Sequence, residues 1–218
     1  MQKNILVILE GSEEETLFEI AEHDGFAECF NVFYENVGGC GNIAPYFQSE
    51  MSDEFYDCIV CVYDVDNRID INDSAYNLTR KALKKLLLED ENVDNVSFCT
   101  NPNTLQFFLL GADKLENVKI LDTSKSANTD LLHKYWEKLG NKKDYDADEW
   151  QLEIIKNSFI YDEYNYTYSN MLKNAEELEL DYKNKNPASN LLPLLVALKT
   201  GNVDFFINAE KTKDIKEW

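Results

Sequence analysis

Carboxylates that follow strand-like segments are the residues of this sequence best suited to chemistry. Asp64 and Asp66 stand at the end of residues 57–66 (DCIVCVYDVD), an apolar run typical of a strand buried on both faces. Alternation along a strand places both side chains on one side. Two like charges this close repel each other unless a cation lies between them, and carboxylate oxygens suit Mg²⁺ or Mn²⁺. The pair therefore predicts a metal site, with a polar exit from the strand as the alternative.

A second acid ends the first apolar run of the chain. The run ILVIL leads into Glu10, and the next residues predict a helix that Ser12 caps, with Glu15 completing a capping box. The helix dipole favours Glu13 and Glu14 in the first turn. Capping and the helix dipole explain the acids of the helix, but neither explains an acid at Glu10, where the strand ends. Glu10 is therefore the stronger candidate for a role in a site.

Alternating strands and helices must position these acids. Hydrophobic patterns predict strands over 4–10, 29–37, 57–66, 93–99 and 118–121, with helices over 12–24, 42–51 and 74–88 and from residue 104. This order implies an α/β fold with a mostly parallel central sheet flanked by helices. Ligands of such sheets bind at the carboxyl ends of the strands, where these acids stand.

The remainder of the chain has a helical pattern. Helices are predicted over 129–139, 148–158, 170–180 and 190–199. We therefore expect a metal-binding α/β domain over 1–125 and a helical C-terminal extension over 126–218, with the boundary at 122–127.

Composition limits the classes of partner. The 218 residues carry 21 Lys and Arg against 41 Asp and Glu, a net charge of −20, yet 44% are hydrophobic, which is enough for a full core. Such a surface repels nucleic acid, so a nucleic-acid substrate would need metal ions, a basic partner or a local basic patch. The patch offered by Arg80, Lys81, Lys84 and Lys85 could equally be a solvated helix face.

Other features of the sequence point to an intracellular protein without histidine chemistry. The five cysteines predict reduced core thiols, and Cys58 and Cys61 should point to opposite faces of one strand. No apolar run reaches membrane-spanning length and no cleavable signal is evident, so we expect a cytoplasmic protein. The tyrosines at 161, 164, 166 and 168 could stack nucleic-acid bases or pack between helices. The chain has only two histidines.

The combination of these motifs resembles the Toprim domain, and within it the RloB-like and OLD-family nuclease type. ILVILEG opens an acid-rich helix, a later strand ends DVD, and Asn101-Pro102 opens a further helix. The resemblance covers residues 4–121. The family often has an acid where Leu105 stands here, which leaves a further metal ligand unassigned.

The resemblance implies a site and an activity. Asp64 and Asp66 would hold Mg²⁺ or Mn²⁺, Glu10 would complete its shell or move a proton, and Glu14 would reach the same ion or a second one. The implied activity is a nuclease that hydrolyses phosphodiester bonds in DNA or RNA, in antiviral defence or RNA processing.

Two other functions stay open from the residues. A HAD-like phosphatase also uses DxD, but that motif normally ends the first strand, and Arg68 stands where that family has Thr or Val. A non-catalytic Toprim-like subunit that binds a defence-system partner or a second copy would also suit the acidic surface.

Overall fold

A five-stranded sheet forms the centre of the described part of the chain. The computed structural model describes residues 2–66, 72–89, 95–111, 130, 148–161, 166–178 and 188–207. The strands are β1 Lys3–Leu9, β2 Phe30–Asn36, β3 Cys58–Asp64, β4 Asn95–Asn101 and β5 Ala188–Ser189. The helices are α1 Ser12–Asp24, α2 Ile43–Glu50, α3 Ala75–Glu89, α4 Leu105–Leu110, α5 Asp148–Ile160, α6 Tyr168–Glu177, α7 Leu191–Thr200 and α8 Val203–Ile207. A short 3-10 helix, Cys40–Asn42, precedes α2.

The strands lie in the order β2-β1-β3-β4-β5, and all neighbours are parallel except β4 and β5. The two most continuously apolar strands, β1 and β3, are adjacent near the middle, with Ile5 beside Cys58. A strand without polar positions must be covered on both faces, which explains their places. The α/β class with a mostly parallel, Rossmann-like sheet is thus confirmed.

Each face of the sheet has its own hydrophobic core, and alternation along the strands assigns side chains to one or the other. Cys58 and Val60 lie on the face covered by α1 and α4, whereas Ile59 and Cys61 lie on the face covered by α2 and α3. The expected opposition of Cys58 and Cys61 is therefore confirmed, and all five cysteines are free thiols.

The face that helix α3 turns to the sheet is only partly the one predicted. The sequence pattern predicts Leu78, Ala82, Leu83 and Leu86 on the inner face. Leu83 is buried and Leu86 half-buried, but Leu78 and Ala82 are exposed, and Tyr76 and Thr79 are buried instead. The buried positions follow the same spacing of three to four residues, rotated around the helix so that the Tyr76 ring packs 5.7 Å from the Tyr63 ring.

The described C-terminal helices pack on the sheet. Ile155 and Phe159 of α5, Met171 of α6 and Leu195 of α7 belong to the same hydrophobic cluster as Phe18 of α1. The sequence did not predict β5, which pairs with the end of β4. The predicted strand 118–121 and the boundary at 122–127 lie outside the described residues, as does the predicted helix 129–139 apart from residue 130. Within the described residues, no helix has the length and apolar character needed to cross a membrane.

Candidate metal centre

Three carboxylates meet where β1 and β3 end. Oxygens of Glu13, Glu14 and Asp64 all lie within 4.8 Å of one another. Asp64 is the last residue of β3, and Gly11 leads from β1 into α1, which carries the two glutamates. Because β1 and β3 are parallel neighbours, their carboxyl ends bring the start of α1 to Asp64. Glu14 is only 2% exposed and Asp64 only 6%.

The start of α4 holds the carboxylate of Asp64. The Thr104 backbone N–H donates to Oδ1 at 3.0 Å and lies 3.2 Å from Oδ2, and the Thr104 hydroxyl donates to Oδ1 at 3.1 Å. Hydrogen bonds to an ionised acceptor are stronger than neutral ones. Thr104 therefore fixes the orientation of Asp64 within a buried environment.

Glu14 caps its own helix, which corrects the predicted capping box. Gly11 is the N-cap, and its N–H donates to Glu14 Oε2 at 3.0 Å. The predicted partner, Glu15, instead accepts a hydrogen bond from the Asn36 side chain at 2.8 Å. The N-cap is Gly11, one residue before the Ser12 that the sequence pattern indicated. The glutamate three residues after the N-cap is therefore Glu14 rather than Glu15. Glu14 Oε1 is buried and accepts no hydrogen bond within the described structure.

The surroundings of Glu14 disfavour its charged form. The pKa of Glu14 is raised from 4.5 to about 8, chiefly by burial and then by the negative charge of Glu13; the Thr104 hydroxyl opposes the shift, and the charge of Glu10 adds to it. At neutral pH the carboxyl therefore retains a proton for much of the time. A divalent cation at this place would favour the carboxylate instead.

Glu10 lies beside this group and contacts the backbone of β3. Its Oε2 accepts the Asp64 N–H at 2.8 Å. Leu9 belongs to the core on the α1 face, so alternation directs Glu10 to the opposite face, where it lies near Cys40. Burial, followed by the charge of Glu10, raises the pKa of the Cys40 thiol to about 12. Glu10 is thus within the sheet edge but outside the group of three, and its catalytic role stays a prediction.

Asp66 does not continue the strand. β3 ends at Asp64, and Asp66 has a φ of 53°, in the left-handed region. The Asp66 N–H donates to the Pro102 carbonyl at 2.8 Å, next to the cis peptide bond between Asn101 and Pro102. The alternation that predicted a shared side for Asp64 and Asp66 therefore fails, because it requires extended backbone. The ligand role of Asp66 stays a prediction.

Two functional candidates were missed from the sequence. Glu13 has a complete explanation as a first-turn acid, so nothing in the local pattern set it apart. Thr104 was noted only as a helix start, although it supplies two donors to Asp64. The available signal was topological, since both residues follow strands that end at the same sheet edge.

The other predicted binding features lie on α3 and in or beside α5 and α6. Lys81, Lys84 and Lys85 are exposed on α3, and the Arg80 guanidinium lies 5.9 Å from the centre of the Tyr76 ring. Tyr166 and Tyr168 are buried, which favours packing over base stacking for these two, whereas Tyr161 is exposed.

The donor set fits a small divalent cation. Mg²⁺ binds carboxylate oxygens at about 2.1 Å, so two oxygens on opposite sides of one ion lie about 4.2 Å apart. The oxygens of the three residues all lie within 4.8 Å of one another, so no pair is separated by much more than this distance. The unmatched Glu14 Oε1 supplies a buried oxygen ready to accept a cation. The residues present therefore suit Mg²⁺ or Mn²⁺ in both chemistry and spacing.

Comparisons with protein-family models, with curated proteins and with solved structures returned no match to this chain.

Proposed function

We propose that this protein is a Mg²⁺- or Mn²⁺-dependent nuclease of the Toprim-like type, which hydrolyses phosphodiester bonds in DNA or RNA. The observation that carries the proposal is the convergence of Glu13, Glu14 and Asp64 at the carboxyl edge of a parallel sheet. Acids this close together cannot all ionise without repelling one another, and a divalent cation relieves that repulsion. Antiviral defence is the proposed setting, and it rests on the resemblance alone.

In this proposal the chain's own groups divide the work. Glu13, Glu14 and Asp64 would hold the cation, and Thr104 keeps Asp64 oriented toward it. The bound cation would neutralise a scissile phosphate and lower the pKa of a water molecule. Glu10, whose Oε2 lies 2.8 Å from the Asp64 nitrogen, would accept a proton from that water. Asp66 would contribute from the adjoining loop.

The net charge sets a further requirement for a nucleic-acid substrate. A chain of charge −20 repels a polyanion at long range. Neutralisation of the buried carboxylates by a cation would remove negative charge where the phosphate must approach. Both the binding of substrate and the chemical step should therefore depend on the divalent ion.

Calorimetric titration with Mn²⁺ tests the proposal directly. We expect wild type to bind Mn²⁺ and the Asp64→Asn variant, which keeps the size of the side chain, to lose most of that binding. Glu15→Gln is the matched control, because Glu15 is on the same helix but contacts Asn36. Plasmid, single-stranded DNA and tRNA would then serve as substrates with each protein.

Two results would contradict the proposal. One is the absence of Mn²⁺ and Mg²⁺ binding to wild type. The other is cleavage of any of these substrates at the same rate by wild type and Asp64→Asn. Equal loss of binding in Asp64→Asn and Glu15→Gln would place the ion elsewhere on the acidic surface.

A further inference from the structure

Strand β2 forms an edge of the sheet whose outer backbone groups are open within the described structure. The Lys3 N–H donates to the Cys29 carbonyl, and the Val37 N–H donates to the Leu9 carbonyl. The backbone groups of the odd-numbered residues of β2 therefore point toward β1. By alternation, Val32 and Tyr34 direct their N–H and C=O groups away from the sheet. Across the described ranges, no residue bonds to these backbone groups. An open edge of this kind can accept another strand.

Three aromatic rings lie beside this edge on the α2 face. Phe33 and Phe55 have ring centres 5.3 Å apart, Phe33 and Tyr56 6.0 Å, and Phe55 and Tyr56 5.2 Å, all in edge-to-face contact. Phe33 is 39% exposed and Phe55 51%. Aromatic groups clustered on a surface mark places where another molecule binds. We refer to these three rings as the aromatic patch.

Carboxylates surround the aromatic patch and both faces of the strand. Glu35 follows Phe33 on the same face of β2. Burial, followed by the charges of Glu50, Asp53 and Glu35, raises the pKa of the Tyr56 hydroxyl in the aromatic patch. On the opposite face, the Tyr34 hydroxyl donates to Glu22 at 2.6 Å. The edge of β2 is therefore flanked by negative charge on both sides.

We propose that the β2 edge and the aromatic patch form a docking surface for a partner protein that presents a basic, extended segment. The segment adds to β2 as a further strand, with backbone hydrogen bonds to Val32 and Tyr34. Arginine or lysine side chains lie near Glu35 and Glu22, and one side chain covers Phe33. Arginine suits this last place, because it stacks on aromatic faces and also pairs with carboxylates.

A second copy of this chain is a poorer occupant of the same surface. Pairing of two β2 edges would bring Glu35 and Glu22 of one copy toward those of the other, and like charges on adjoining strands are destabilising. The same repulsion acts between whole molecules of charge −20. A basic segment would be attracted by the same carboxylates. The charge of the surface thus selects among partners.

A short synthetic peptide tests this surface on the full chain. The probe is an octapeptide in which pairs of arginines alternate with pairs of valines, so that arginine lies on both faces of an added strand. Its control has glutamate in place of arginine, and binding is measured by fluorescence polarisation at about physiological ionic strength. We expect the basic peptide to bind and the acidic one not to bind. Phe33→Ala should weaken binding about tenfold. Tyr161→Ala should not, because Tyr161 is a 70% exposed aromatic outside the aromatic patch.

Amide hydrogen exchange distinguishes an added strand from general attraction of charges. We expect the peptide to slow exchange at Val32 and Tyr34 in wild type. Equal affinity for Phe33→Ala and Tyr161→Ala, or unchanged exchange at these two amides, would overturn the proposal. It would also be overturned if light scattering showed a dimer that Phe33→Ala dissociates, or if single-stranded DNA rather than the peptide protected these amides.

Discussion

At the scale of single residues, the buried carboxyl of Glu14 links folding to proton binding. Its pKa rises from 4.5 in the unfolded chain to about 8 in the folded one, chiefly because the side chain is buried. The folded state therefore binds the proton more tightly than the unfolded state between these two values. By linkage, the contribution of this group to stability is complete below about pH 4.5 and is lost as pH rises toward 8.

The first prediction concerns this pH dependence. Without divalent ions, the melting temperature of wild type should fall by several degrees between pH 5 and pH 8.5. Glu14→Gln should show a smaller fall, because glutamine cannot ionise and keeps an oxygen to accept the Gly11 N–H. Thermal unfolding in EDTA across this range measures both slopes. Identical slopes for the two proteins would contradict the assigned effect of burial.

The second prediction concerns the hydroxyl that orients Asp64. Thr104→Val keeps the backbone N–H and the side-chain size but removes the donor that lies 3.1 Å from Asp64 Oδ1. Loss of a group that orients a ligand typically lowers metal affinity by about tenfold or more. Mn²⁺ calorimetry should show this reduction. Thr200→Val is the control, since its hydroxyl bonds to the Val196 carbonyl on α7. Unchanged affinity in Thr104→Val would remove Thr104 from the site.

Candidate site residues could be singled out from the sequence where the local pattern was regular. Asp64 became a candidate because a continuous apolar strand runs into it, whereas Glu14 became a candidate ligand only through the resemblance. Asp66 could not be placed, because its left-handed backbone depends on the contact of its N–H with Pro102, a residue distant in the chain. Glu13 joins the group only through the packing of α1 on the sheet.

At the scale of elements, the end of α4 packs closely beneath α5. A Cβ atom on Gly111 would lie 2.3 Å from Cζ of Phe159 and 2.8 Å from Cδ1 of Tyr166. The backbone of Gly111 has ordinary helical angles, so the demand for glycine here is purely one of space. This junction connects the described C-terminal helices to the sheet.

The third prediction tests that junction. Gly111→Ala should lower the free energy of unfolding by about 3 kcal/mol, at the upper end for overpacking in a well-packed core. Gly41→Ala provides the control, because a Cβ there meets nothing within 4 Å and the backbone φ is not positive. Urea unfolding of both variants gives the comparison. A loss below about 0.5 kcal/mol in Gly111→Ala would show that the two aromatic rings can move aside.

The elements predicted correctly are those that carry their own pattern. β1 and β3 are continuous apolar runs, and α1, α5, α6 and α7 begin and end within a few residues of their expected positions. β5 was missed because two residues hold no periodicity, and its strand character comes only from pairing with Thr100 and Asn101. The rotation of α3 was missed because both of its faces carry leucines.

At the scale of the whole molecule, a large apolar core is combined with a strongly negative surface. Both faces of the sheet are covered by described helices, so the fold does not depend on its charges for cohesion. The net charge of −20 opposes compactness instead, because mutual repulsion is greater in the folded state than in an expanded chain. The sequence predicted both the core and the charge, since each follows from composition.

The fourth prediction follows from this repulsion. Raising NaCl from about 20 to about 300 mM at pH 7 in EDTA should raise the melting temperature by several degrees, because the Debye length shortens from about 20 Å to about 6 Å. Choline chloride should have the same effect, since screening does not depend on the identity of a monovalent cation. MgCl₂ at matched ionic strength should stabilise wild type further, but not Asp64→Asn, because only binding to the folded state adds to screening. A melting temperature that falls with NaCl would mean that attractive ion pairs, such as Lys199 with Asp24 at 2.6 Å, outweigh the repulsion among the acids.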